Sequence, residues 1–245
     1  MNHVKEERHS IFLSGKEIVF SVVYSRKAQR LRLQVSLEDG LQVVLPARAK
    51  VPFSVIEKFL LEKQAWILRH TERLEKIARK SEQSRNSLLF LGKEAPIEIM
   101  ECTRIGAKAF PKKGRLLVKV PFGKKHLVGK AIESFYKKQA KRIIQKIVSE
   151  RASQMDLSFK RISVRGQKTR WGSCSGKGTL SFNWRLIAAP RPVIEYIAVH
   201  ELCHLRHRNH SKAFWAEVAR HMPEYKEQER WLRKNKHFLR ARTSF

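Results

Sequence analysis

Acid is what this chain is shortest of. Against 52 lysines and arginines it sets 22 carboxylates, and only two of them, Asp39 and Asp156, are aspartates. The formal charge is +30 at pH 7. A surplus of that size repels itself, so a merely solubilising surface does not account for it. It implies attraction to something polyanionic: nucleic acid, ribosomes, anionic lipid or acidic protein. Cysteine is scarce as well. Cys102, Cys174 and Cys203 are odd in number, far apart and in no C-x-x-C pair, which argues against a disulfide framework and fits a reducing interior. Long apolar runs are missing, none approaching the length of about 18 residues that a membrane span needs. The charged stretch Met1 to Ser10 has no apolar centre, so no secretory signal is expected. A soluble cytoplasmic protein with no membrane partner is the expectation. With 245 residues and 42% hydrophobic content, there is ample material for a core, as one large domain or two small ones.

The hydrophobic periods divide the chain. Ile18-Val19-Phe20 and Val22-Val23 read as strand, and Leu31, Leu33, Val35 and Leu37 alternate with polar residues at a period of two. Asp39-Gly40 makes a turn, Leu41 to Leu45 returns, and Pro46 closes the hairpin. From Val51 to about Lys80 the period becomes helical, through Ile56, Phe59, Leu60, Ile67 and Leu74. The polar segment Lys80 to Ser87 reads as a linker. It separates an N-terminal strand–helix region, residues 1–87, from a second region, residues 88–245. Leu88 to Leu91, Ile97 to Met100 and Arg115 to Val120 are strands, and a long helix runs from about Lys125 to Ala152. Its apolar face carries Ile132, Phe135, Tyr136, Ile143 and Ile147, and Lys137, Lys138, Lys141, Arg142 and Lys146 cover the other side. At a lag of 75 residues Leu41, Val43, Pro46, Lys63, Gln64 and Ala65 meet Leu116, Val118, Pro121, Lys138, Gln139 and Ala140, a hint of strand–helix duplication. Ile162 to Val164 is a short strand, Gly166 to Gly178 a polar loop, and Leu180 to Leu186 a further strand. Trp66 and Trp184 are core or groove-wall residues. Pro190 and Pro192 mark a helix start, Ser211 caps another helix, and Pro223 opens a last one before a basic tail with Arg233, Lys234, Lys236, Arg240 and Arg242. Strands and helices in separate stretches make the class α+β.

Chemistry concentrates in His200-Glu201-Leu202-Cys203-His204. On a helix, residues i and i+4 share a face, so His200 and His204 can offer two imidazoles to one metal ion while Glu201 stands beside them as a base. This is the H-E-x-x-H pattern of zinc-dependent hydrolases. His207 stays on the same stripe, but along a continuing helix it lies about 10 Å from His200. It reads as solvent-facing or as a residue supporting the ligands. Asn209 suits the left-handed position that ends a helix, and beyond it His210 can fold back as the third ligand. Its bland alternative is a surface residue before Ser211. The spacing of the three equals that of H-E-x-x-H-x-x-G-x-x-H enzymes, but His207 stands where those have glycine, which argues against that clan. Cys203 reads as a small buried side chain rather than a ligand.

Further pieces accompany this motif: Arg170-Trp171-Gly172-Ser173-Cys174-Ser175, Asn183-Trp184-Arg185-Leu186, and Asn209-His210-Ser211 with Phe214-Trp215. Together with Arg30 to Pro46 and Lys63-Gln64-Ala65-Trp66-Ile67, they resemble the YgjP-like zinc metallopeptidase family, related to the SprT-like peptidases. The resemblance covers nearly the whole chain. It implies a zincin-like peptidase domain, Zn2+ on His200, His204 and His210, Glu201 as catalytic base, and a peptide or protein substrate.

The residues support the same chemistry alone: three neutral histidines leave zinc an open position, where water is acidified and a carbonyl polarised. The strand Leu180 to Leu186, if at a sheet edge, can hold an extended peptide. Arg170, Tyr196 and Tyr225 are the candidate oxyanion donors, and for Arg170 and Trp171 bracing the loop is an equal reading. The competing function is a nucleic-acid-associated binding protein with a structural or vestigial zinc site. Between Asp156 and Glu195 there is no acid, yet Lys160, Arg161, Arg165, Lys168, Arg170, Lys177, Arg185 and Arg191 all fall there. That segment is expected to place a positive field around the cleft and to bind nucleic acid without sequence preference.

Overall fold

In the computed structural model the described residues are 7–37, 39–83, 86–103, 105–167, 169–241 and 243. Residues 1–6 of the charged N-terminus, 84–85 of the expected linker, Lys168 and Arg242 lie outside them. The chain falls into two units, Met1–Glu82 and Gln83–Phe245.

In the first unit β1 (Glu7–Leu13) and β2 (Lys16–Ser25) form a hairpin. Ser14 and Gly15 turn it at φ 49 and 78°, the left-handed pair that matches strand twist. The expected hairpin between Leu31 and Leu45 is present as β3 (Arg32–Ser36) and β4 (Gly40–Pro46). β4 also pairs with β2 in parallel, giving the order β1-β2-β4-β3. Two helices follow where one was expected: α1 (Phe53–Glu62) and α2 (Gln64–Gln83). The chain bends at Lys63, φ −100 and ψ 9°, and Ile56, Leu60 and Ile67 then join one cluster with Phe20, Val43 and Leu45. α2 continues through Lys80 to Gln83 instead of yielding to a linker, because that stretch has no glycine or proline to stop it.

The second unit repeats the plan. β5 (Ser87–Phe90), β6 (Lys93–Cys102), β7 (Lys108–Lys112) and β8 (Arg115–Pro121) form a sheet in the order β5-β6-β8-β7. β7 was not expected: Lys-Ala-Phe-Pro-Lys has no apolar period, and its Pro111 is tolerable because the strand is at the edge. α3 (Val128–Gln154) buries Ile132, Phe135, Tyr136, Ile144 and Ile147, with Ile144 rather than Ile143 deepest. Tyr136 donates its hydroxyl to the Leu89 carbonyl at 2.6 Å, tying helix to sheet.

A three-stranded sheet comes next, with β9 (Arg161–Arg165), β10 (Gly172–Cys174) and β11 (Thr179–Asn183) in the order β10-β11-β9. The strand expected to reach Leu186 stops at Asn183, whose side chain accepts the Arg185 N–H and starts a 3-10 turn over Trp184–Ala188. That turn buries Trp184, Leu186 and Ile187. α4 (Arg191–Cys203), α5 (Lys212–His221) and α6 (Tyr225–Ala241) complete the unit. Arg233, Lys234, Lys236 and Arg240 sit on α6 rather than in a tail, since Leu232 and Leu239 are buried and hold the helix down. The β5–β6 turn fixes where α4 begins: Leu91 and Gly92 donate to the Ile187 and Ala188 carbonyls at 2.8 and 3.0 Å. A Cβ on Gly92 would stand 2.9 Å from Pro190 Cγ, and its φ is 79°. The architecture is α+β. No described helix is long and apolar enough to cross a membrane.

Candidate metal centre

α4 ends earlier than the sequence suggests. It stops at Cys203, with His204 as its C-terminal cap, and Asn209 takes no left-handed conformation. The local reason is His204 itself. Its Nδ1 lies 2.9 Å from the His207 carbonyl, and an oxygen that can only accept makes that nitrogen the donor. The bond closes the turn in which the Arg206 and His207 N–H groups reach back to the Cys203 carbonyl. It also leaves His204 Nε2 free as a ligand atom.

From this turn the chain returns. His210 Nε2 comes to 3.1 Å from His200 Nε2, and His200, His204 and His210 offer ring nitrogens all within 4.8 Å of one another. Two imidazoles on one ion at about 2.0–2.1 Å and a tetrahedral angle hold their nitrogens about 3.3–3.4 Å apart, so the approach fits a shared metal. All three rings pack on Phe214, at centroid distances of 5.0, 4.6 and 4.8 Å. Ser211 sets that floor by capping α5 through the Phe214 N–H. Burial, with His204 and His210 adding to it, pushes His200 down to about 3. Burial also lowers His204, opposed by its hydrogen bond to His207. Both rings are therefore neutral near pH 7, the state in which imidazole ligates. His207 is not part of the cluster; its ring pairs with Glu217 at 3.0 Å.

Glu201 is 5% exposed, and its Oε2 is buried with no hydrogen-bond partner among the described residues. Burial pushes its carboxyl up to about 8, with the Arg170 guanidinium pulling the other way. A divalent cation at the adjacent histidines would offset that cost. Gly172 faces it: a Cβ there would be 2.4 Å from Glu201 Oε1 and 2.7 Å from its Cγ. Glycine is present because the strand and the carboxylate leave no room for more.

The cleft over these groups, about 470 Å³, is lined by the three histidines, Glu201, Gly172 to Ser175, Arg170 and Arg208. β11, the strand expected to meet a peptide, is central, paired with β10 on one side and β9 on the other. The edge on the cleft is β10, which sequence reading took for loop. Asn183 N–H bonds the Trp171 carbonyl and Ser175 N–H the Thr179 carbonyl. The alternation of an antiparallel pair then turns the main-chain groups of Gly172 and Cys174 outwards. Of the candidate oxyanion donors only Arg170 lines the cleft; Tyr196 is buried and stacks on Tyr225. The loop carrying Arg170 is braced by Asn183, whose Nδ2 donates to the Gln167 and Arg170 carbonyls at 2.7 and 3.3 Å.

The positive segment spreads out rather than ringing the cleft. Arg170 reaches it, Arg165 lines a different groove, Arg185 lies over Trp184, and Arg191 pairs with Glu195 and Glu150. Arg208 is a cleft residue that sequence reading missed, as are Gly172 as a spacer, the His207 carbonyl and the Phe214 floor. The motif Arg170 to Ser175 was the available signal for β10. Cys203 is buried and outside the histidine cluster.

A family model described as YgjP-like, metallopeptidase domain, matches residues 29–235. Solved structures to which part of the chain is similar include the metallopeptidase zymogens of Pyrococcus abyssi abylysin and Methanocaldococcus jannaschii jannalysin. They show 25% and 24% identity, each over 38% of this chain and 95% or 96% of their own, with TM-scores of 0.35. None of the curated proteins matches significantly.

Proposed function

Since the chain belongs to the YgjP-like family of metallopeptidase domains, we propose that it is a zinc metallopeptidase, hydrolysing peptide bonds with Glu201 as general base. The observation that carries this is the convergence of His200 and His210 Nε2 at 3.1 Å beside a buried Glu201 oxygen that has no hydrogen-bond partner among the described residues. Three imidazoles with no fourth protein ligand among the described residues are the donor set of a catalytic rather than a closed structural zinc site. When bound there, zinc supplies Lewis acidity, polarising a carbonyl and making water easier to deprotonate.

The chain's own residues do the rest. The His207 carbonyl orients His204, and Phe214 walls the histidines off from behind. Glu201 takes a proton from water and delivers it to the leaving amine. The outward main-chain groups of Gly172 and Cys174 hold an extended peptide along β10, the edge strand. Arg170 donates to the oxygen on which charge develops. The three free cysteines suit a reducing cytoplasm. A binding protein with a structural zinc site fits less well: such a site has no use for a buried base, and neither Cys174 nor Cys203 joins the cluster.

Glu201→Gln preserves size but accepts no proton. Zinc should stay at one per chain, and peptide hydrolysis should fall by about 10²–10⁴-fold. Retained zinc with undiminished hydrolysis sinks the assignment. A zinc-loaded wild type inactive on every peptide favours the binding protein instead.

A further inference from the structure

We propose that the groove between α3 and β9 binds the phosphate backbone of single-stranded nucleic acid, at a site separate from the metal cleft. The groove, about 600 Å³, has Lys137, Lys138 and Lys141 on its α3 wall and residues 162–166, with Arg165, on its β9 wall. Two basic stretches that are distant in sequence thus face each other. β9 is the outer strand of its sheet, so this wall is open along its edge. Arg165 Nε donates to Ser163 Oγ at 2.8 Å, which lays the guanidinium along the strand.

The charge here is not balanced internally. Lys137 pairs with Glu133 at 2.9 Å. Lys138, Lys141 and Arg165 have no acidic partner among the described residues, and the β9 side of the groove comes from the segment with no acid between Asp156 and Glu195. Like charges gathered on facing walls repel one another, and an anionic ligand between them removes that cost.

Three features choose the ligand. Lys137 and Lys141 stand one helical turn apart on α3, about 6 Å at 1.5 Å per residue, with Lys138 beside them and Arg165 on the other wall. Cations repeated along one wall and met by another on the facing wall suit a polymer with regularly spaced charge. Because the cations stand on opposite walls, the chain must enter between them, which a single strand can do and a duplex cannot. Trp184, which also lines the groove, is 2% exposed, with the Arg185 guanidinium 4.4 Å from its ring centre. It offers no face to a base. Binding is therefore through phosphates and indifferent to sequence.

Fluorescence anisotropy of the intact 245-residue chain with labelled oligo(dT) of about 20 nucleotides tests this. Four cations at about 0.7 ion per phosphate give a log–log salt slope of about −3, or about 50-fold weaker binding at 200 than at 50 mM salt. Lys138→Glu with Lys141→Glu and Arg165→Glu should weaken binding at least about tenfold at low salt and move the slope towards about −1. The milder pair Lys138→Gln and Lys141→Gln should weaken it in the same direction, which covers a triple variant that fails to fold. The same charge change on the N-terminal unit, Arg48→Glu with Lys50→Glu and Lys58→Glu, should cost less than about threefold. Zinc content and peptide hydrolysis should be unchanged in the groove variants, so a failure here is separable from a failure of the peptidase assignment. Equal losses in groove and control variants overturn the proposal, as does absence of binding at low salt. Stronger competition by polyglutamate than by unlabelled oligo(dT) also overturns it and assigns the groove to acidic peptide; preference for duplex overturns the single-strand geometry.

Discussion

One methyl group at position 172 tests the base and its setting together. Gly172 lies in β10 without a left-handed φ, so alanine costs nothing in backbone conformation there and the whole effect is spatial. The added Cβ would meet Glu201 Oε1 at 2.4 Å, Cγ at 2.7 Å and Cδ at 2.8 Å. Ordinary contacts between such atoms begin near about 3.5 Å, so roughly 1 Å must open. β10 is pinned to β11 by the Asn183 and Ser175 N–H groups, and α4 is anchored in the core by Val199 and Leu202. Swinging the carboxylate tip is not enough, because Cγ clashes as well. The Glu201 side chain must leave its position. Misplacing a reacting group by about 1 Å costs about 10²-fold. Gly172→Ala should therefore lower kcat on a fluorogenic peptide by about that factor with zinc retained, while overpacking destabilises the fold by about 1–3 kcal/mol. Because the methyl acts through Glu201, adding it to Glu201→Gln should lower kcat little further. Full kcat in Gly172→Ala, or multiplicative losses in the double variant, would refute the reasoning.

The remaining expectations concern the ligands and acid stability. His200→Ala, His204→Ala and His210→Ala should each strip zinc from the purified protein, whereas His207→Ala, which keeps the carbonyl that orients His204, should leave metal content nearly unchanged; an empty site in His207→Ala alone would mean the third ligand is misassigned. Burial raises Glu195, but hydrogen bonds from Arg191 and Arg151 outweigh it, and its carboxyl ends below the ordinary 4.5. A depressed carboxylate stabilises above its unfolded pKa and loses that contribution as pH falls through the folded one. Glu195→Gln should thus melt lower than wild type at neutral pH, with the gap closing well below pH 4.5; a gap that persists in acid would show that the ion pairs are not its source.

His200, His204 and Glu201 were legible because helical period alone puts them on one face, and no tertiary information is needed. His210 was legible as a return of the chain, but the place of the return was not. Local propensity favoured Asn209 as the helix stop, and a side-chain bond from His204 to His207 decided otherwise. β10 was hidden for a different reason: Gly-Ser-Cys carries no apolar alternation, and its strand character comes from pairing with β11. Nor can a period of two say whether β11 is central or at an edge. The need for glycine at 172 depends on the distance between a strand and a helix, which appears only on folding. Arg208 was missed because it follows the motif in a turn with no pattern of its own.

The weak repeat at a lag of 75 residues has a clear counterpart in the two larger sheets. Their orders, β1-β2-β4-β3 and β5-β6-β8-β7, are the same, and so is the sense of every pairing. The parallel registers agree as well: Phe20 faces Leu41 and Ser25 faces Pro46, while Ile97 faces Leu116 and Cys102 faces Pro121. A one-residue slip would turn every apolar side chain to the wrong face, so a register once established is kept while the sequence drifts. That is why so few identities remain over a common topology, the pattern expected of duplication. The helices diverge because their surroundings did. Ala65, just past the bend at Lys63, is exposed, whereas its counterpart Ala140 is buried on the unbroken α3. In the second copy α4 packs against α3, and that partner holds the helix straight. The same partner carries His200, Glu201 and His204, so the helix of the candidate metal centre rests on the element whose outer face presents Lys137, Lys138 and Lys141.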